Sequence, residues 1–330
     1  MSMIVSRGGR LAPVAVPDRF FPLRRATAGG AVVLMLGVAG CAAPGSTGAP
    51  GMVIVAVPAA GLASPPTSCS GQDVVPAGIP PTQQPTAPTT VQDPNGTTPA
   101  WPQLQAIVQR VASGPADPLR CGRYDYVPSR EWTDVTSAGP DGQGTSLITR
   151  TDYLRFTADD GSARVVATRQ DPSGPVKTSD DYPPGKLPTT LAVPLNARDS
   201  DPGILAHKIH QGHPSASGAQ LTVRTVADIY GWQLPARDQR AALARVLCDD
   251  ARALIWRGAA VDRQGRPGVA VSIDSNRGAI RDLLLLDPAT GGVLAYEQVA
   301  LRNPGALDGP FPRVLTYRIN PDRYRTTDLP

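Results

Sequence analysis

The sequence predicts an α+β domain on a curved antiparallel sheet, with helices across one face, behind a signal segment and a disordered tether. Three observations predict it. Apolar residues recur at helical spacing in 101–113, from Pro202, in 219–230 and from Pro235. Alternating strand-like runs stand before and after those helices, and the turns between them are short enough to join antiparallel neighbours. The 330 residues include 33 glycines and 36 prolines but only 5% aromatics, which suits one core beside a long unstructured segment.

Residues 1–40 read as an export signal. Arg24-Arg25 precede the apolar run Ala31–Val38, and the small residues Ala39-Gly40 lead to Cys41. A thiol directly after small residues is what a lipoprotein signal requires, because the lipid-transferring enzyme needs that nucleophile. Cys41 is therefore the expected lipidation site, with palmitate-type acyl chains holding the chain to the extracytoplasmic face of the cell membrane. The run is too short to span about 30 Å of hydrocarbon. Arg24-Arg25 also admits a twin-arginine route, but Ala26-Thr27 lack the apolar character that route prefers, so the Sec route is expected.

The charge follows from this division. The signal holds Arg7, Arg10, Arg19, Arg24 and Arg25 against Asp18 alone. Taking these from the chain's 32 Lys and Arg and 28 Asp and Glu leaves 27 of each sign. The basic character belongs to the signal, so the charge gives no support for a nucleic-acid partner.

Residues 41–99 read as the tether. Pro80-Pro81-Thr82-Gln83-Gln84-Pro85-Thr86-Ala87-Pro88 is typical, and such runs bury too little apolar surface to offset backbone entropy. Met52–Val57 breaks the pattern, either as a stray strand or as a segment lying against membrane or protein. The domain is expected over 100–330. Its first helix bears Trp101, Leu104, Ile107, Val108 and Val111, with Pro102 in the first turn and Gly114 at the end. Strands follow at Arg123–Val127, Leu147–Phe156 and Ala163–Thr168, then loop through 172–198. Asp201 or Ser200 can cap a helix from Pro202. After two more helices, five strands are expected at 254–261, 269–274, 280–286, 293–301 and 314–319.

Lipidation of Cys41 leaves Cys69, Cys121 and Cys248 in an oxidising space. Cys121 and Cys248 flank core elements and are the expected disulfide, with Cys69 as competitor. A bridge across so long a loop stabilises by about 4–5 kcal/mol in the chain-entropy model.

Four stretches resemble one family of actinobacterial envelope proteins of unknown function, often encoded beside extracytoplasmic-function sigma factors. They are Gly122-Arg123-Tyr124-Asp125-Tyr126-Val127, Tyr182-Pro183-Pro184-Gly185-Lys186-Leu187-Pro188, Arg266-Pro267-Gly268-Val269-Ala270-Val271 and Leu286-Asp287-Pro288-Ala289-Thr290-Gly291-Gly292-Val293-Leu294. The resemblance implies a fold and an envelope location, and brings no catalytic residues. The element order also resembles the half-barrel of lipoprotein carriers and of envelope-stress regulators that bind anti-sigma factors.

The candidate sites are few. Tyr124, Tyr126, Tyr153, Phe156, Trp256 and Tyr296 fall on strands, where they either fill the core or line a face that takes an apolar ligand. His207, His210 and His213, with Asp199 and Asp201 nearby, are the one metal-ligand candidate, and Gly212 and Pro214 are expected to end the helix before His213. Asp180-Asp181 and Asp249-Asp250 are adjacent carboxylates at positions where Asp is common in turns and helix ends. No cofactor motif is present. The expected function is a non-enzymatic envelope lipoprotein that binds an apolar ligand or a partner protein in envelope sensing. The alternative is a hydrolase or metal-binding protein using the histidine region.

Overall fold

The computed structural model describes residues 78–115, 117, 122–138, 144–186, 195, 197–211, 218–249, 253–304, 307, 309–327 and 329. All fall within the unit Gly48–Pro330. The described residues form an α+β fold, with ten antiparallel strands in one open sheet and four α-helices.

Helix α1, Trp101–Ser113, starts with Pro102 in its first turn and buries Leu104, Ile107 and Val111. Each such burial is worth roughly 1.5–3 kcal/mol over exposure. Four strands follow: β1 (Tyr124–Ala138), β2 (Gly144–Ala158), β3 (Ala163–Asp171) and β4 (Gly174–Tyr182). Then come α2 (Pro202–His210), α3 (Gly218–Trp232) and α4 (Arg237–Asp249). The Asp201 side chain caps α2 by accepting the Ile204 N–H at 2.9 Å. Gln239 reaches back from α4 to accept the Ala236 N–H at 2.8 Å, the return half of a capping box.

The second strand group is β5 (Ile255–Val261), β6 (Pro267–Ser275), β7 (Ile280–Leu286), β8 (Val293–Ala300), β9 (Arg313–Ile319) and β10 (Tyr324–Thr326). The sheet runs β4-β3-β2-β1-β9-β8-β7-β6-β5, and β10 pairs with β1. Two meanders are thus joined by β9, which lies between β8 and β1.

Alternation along the strands sorts side chains between two faces. Val271, Ile273, Leu284, Leu286, Val293 and Tyr296 pack with the four helices in the main core. Trp132, Ala270, Leu283, Leu285, Ala295, Tyr317 and Ile319 form a second core on the opposite face.

Three sequence expectations need correction. The loop assigned from 172 contains β4, whose residues 175–181 are all exposed. Its register is set by the Asp171–Gly174 turn, with Gly174 at φ +122°, so no apolar alternation marks it. β1 runs on to Ala138 through Pro128, and β10 adds a short strand at the end. The third correction concerns the tether. Residues 78–99 lie against the domain, with β-bridges at Val91–Ala260 and Pro99–Ile255. Composition hid this because the segment is held by its backbone and buries few side chains.

Candidate functional site

Helix α3 places Gln220, Arg224 and Asp228 four residues apart, which aligns them as one polar stripe. The strands beneath supply matching groups, because cross-strand partners share a face. Asp282 is opposite Gln298, Tyr296 is opposite Arg318, and Arg318 is opposite Glu131.

Asp282 is fully buried at the centre of this seam. It accepts from Tyr296 Oη at 2.5 Å, Gln220 Nε2 at 2.9 Å, Arg224 Nε at 3.0 Å and Gln298 Nε2 at 3.1 Å. Burial, followed by the neighbouring Asp282 charge, pushes the Tyr296 phenol well above its ordinary value. Arg318 donates to Asp228 at 2.8 Å and Glu131 at 3.1 Å. Burial alone would pull its guanidinium down, but Glu131 and Asp228 outweigh that and raise it. The backbone of α3 comes so close here that a Cβ on Gly231 would lie 2.8 Å from Arg318 Nη1.

Arg155, a buried cation beside this seam, differs. Arg155 donates to Ser129 Oγ and the Gly231 carbonyl, both at 2.6 Å. Its guanidinium lies 4.3 Å from the Tyr153 ring and 4.0 Å from the Trp232 ring. With neutral acceptors only, burial and then the Arg318 charge bring it down to about 9. A general acid or base must offer a proton or lone pair to a ligand. Asp282 instead spends both oxygens on donors from α3 and the sheet, so the seam's chemistry is that of a clamp.

The other face carries a second arrangement. Glu297 on β8 is fully buried and accepts the Thr89 N–H at 2.9 and 3.2 Å and Arg263 Nη2 at 3.3 Å. Burial holds its carboxyl above the ordinary glutamate value, against the pull of Thr89 and Arg263. An open groove of about 740 Å³ lies here, lined by Gln83, Thr89, Gln92, Ala259, Val261 and Arg263.

The six aromatic candidates do not converge. Tyr126, Phe156 and Tyr296 are buried. Tyr126 packs at a tilt against Phe156, with ring centres 5.1 Å apart, and against Tyr324 at 4.9 Å, on the face opposite Tyr153. Tyr153 belongs with Arg155 and Trp232, and half-buried Trp256 packs against the helix core. Tyr124 is half-buried beneath Arg123, 5.4 Å from its ring.

The histidine region resolves into local contacts. His207 is exposed, and His210 Nε2 meets Thr222 Oγ1 at 3.0 Å. Asp199 is fully buried and takes Lys208 Nζ at 2.7 Å, while Asp201 is the α2 cap. His213 lies outside the described residues. Among the described residues no group of three or more His, Cys, Asp or Glu is placed to hold a metal ion. Asp181 pairs with Arg164 at 2.7 Å, and Asp250 lies outside the described residues. Cys248 is buried, with Sγ 3.9 Å from the Trp101 carbonyl; Cys41, Cys69 and Cys121 lie outside the described residues. No described helix is long and apolar enough to cross a membrane.

Sequence reasoning missed both clamps. The four-residue spacing of Gln220, Arg224 and Asp228 was the available signal for the first. The second has none, since it joins residues 208 positions apart.

No family model and no curated protein matches the chain. Among solved structures, the chain is similar to a DUF1329 family protein from Desulfovibrio piger, at 10% identity over 71% of this chain and 96% of that one. The TM-score is 0.21, too slight a likeness to bear on fold or function.

Proposed function

We propose that this chain is a membrane-anchored envelope lipoprotein, lipidated at Cys41, whose domain binds a partner protein and performs no catalysis. The partner role fits envelope sensing of the kind the actinobacterial resemblance suggests. The reading of the sheet as a curved, lipoprotein-carrier-like half-barrel belongs to the same proposal, supported by an open antiparallel sheet with helices against one face.

The observation that carries the proposal is how the buried carboxylates are used. Asp282 and Glu297 each accept from an arginine and from other donors of the chain itself, and Asp199 accepts from Lys208. A partner protein is favoured over an apolar ligand because the aromatic candidates divide between two faces and the core. Apolar side chains instead reach the surface at Val135 and Leu147, directly opposed on β1 and β2, and at Val176 on β4.

Two measurements test this. Cells grown with radiolabelled palmitate should label the parent chain and not Cys41→Ser; label in the variant or none in the parent rejects the anchor. A photo-crosslinking residue at Leu147 should give one discrete adduct in membranes, absent when placed at Ile204 on α2. Equal adducts at both positions, or none, reject a partner at this surface.

A further inference from the structure

Residues 80–99 are bound like a peptide ligand. Along the β5 edge, the Gln92 N–H donates to Ala259 O at 2.9 Å and the Asp93 N–H to Arg257 O at 3.0 Å. In return, the Trp256 N–H donates to Thr98 O at 2.8 Å, and the Ala259 N–H to Gln92 Oε1 at 3.1 Å. Gly258 makes room: at φ +76° beside a bulge, a Cβ there would lie 2.6 Å from Gln92 Oε1.

Four arginines of the domain then hold carbonyls of the segment. Arg130 Nη1 donates to Pro80 O at 2.8 Å, and Arg263 Nη2 donates to Ala87 O. Arg257 Nη1 donates to Pro94 O and Gly96 O, both at 2.9 Å, and Arg281 Nη1 to Pro94 O at 2.9 Å. Arg257 is itself buried and braced by Ser272 Oγ at 2.7 Å. Glu297 meets the Thr89 N–H. Proline lacks an N–H but keeps its carbonyl, so guanidinium donors suit a proline-rich main chain. The segment itself buries little: only Pro85 is buried within 80–99, and residues 92–95 and 97–99 are exposed. Elements with few buried apolar contacts open locally, without global unfolding.

We propose that the β5 edge, with Arg257, Arg263, Arg281 and Glu297, is a binding site for an extended proline-rich segment. Residues 80–99 fill it in cis, and such a segment of a partner protein competes for it by displacing them. The site reads main-chain carbonyls together with the amides of Thr89, Gln92 and Asp93, so it tolerates variation at the other positions of an extended proline-rich ligand. This goes beyond the envelope proposal and does not depend on lipidation of Cys41.

The test uses the whole chain and a fluorescein-labelled synthetic peptide of residues 80–99, followed by anisotropy. The unaltered chain should bind it weakly, because a tethered competitor acts at about millimolar effective concentration. Gln92→Pro in the chain removes the N–H given to Ala259 and should raise peptide affinity at least tenfold; adding Arg257→Ala should abolish the gain. Unchanged affinity in Gln92→Pro, or loss of its folded far-UV spectrum, overturns the proposal. Hydrogen exchange on the unaltered chain is independent of any variant. The Gln92 and Asp93 amides should exchange at least tenfold faster than that of Leu284, and equal rates would show that the segment leaves only when the domain unfolds.

Discussion

The two edges of the sheet are finished in opposite ways. At one, β5 is covered by residues 91–99 of its own chain, and its side of the sheet is buried between α3 on one face and Trp132, Leu283 and Tyr317 on the other. At the other, β4 runs bare, exposed from Pro175 to Asp181. Bare edges invite unwanted pairing, and β4 carries the usual deterrents: Pro175, Lys177, Asp180 and Asp181. The covered edge lacks such a defence in Trp256-Arg257-Gly258-Ala259-Ala260-Val261 and relies on a cover instead. One edge is guarded by its composition, the other by occupancy, so only the second can exchange its occupant.

Substitutions can break or sharpen that contrast. The largest effect should come from Leu284→Ala, a fully buried β7 residue under the helices, at about 3 kcal/mol in urea unfolding. A loss below about 1 kcal/mol would mean the β5–β8 half is not the rigid one. Next, Glu297→Gln should change how stability varies with pH. A carboxyl whose folded pKa is raised contributes stability that is present below its unfolded pKa and is lost as pH rises through the folded one. Parent stability relative to Glu297→Gln should therefore fall as pH increases from the ordinary glutamate range upward. A difference independent of pH would show that burial does not perturb this group. Asp201→Ala removes the α2 cap and should cost about 1 kcal/mol, with the loss seen first in exchange of the Ile204 amide. At the small end, Val176→Ser on bare β4 should shift stability by less than about 0.5 kcal/mol. A larger cost would show that something covers this edge in solution.

Much of the fold was legible because its elements advertise their periods. Leu104, Ile107 and Val111 mark α1, and the apolar run Leu283–Leu286 marks β7 as a buried strand. β4 was not legible, since a strand wet on both faces has no reason to alternate. Nor were the clamps: Asp282 and Glu297 look like ordinary strand carboxylates until α3 and residues 80–99 arrive from elsewhere in the chain.

The sequence by itself determined the fold class, the helix starts and the case for an anchor at Cys41, because apolar period, capping residues and signal grammar are local properties. The tertiary structure alone decided that a proline-rich stretch belongs to the domain. Backbone carbonyls are the same in every residue, so no side-chain pattern records which arginines will find them.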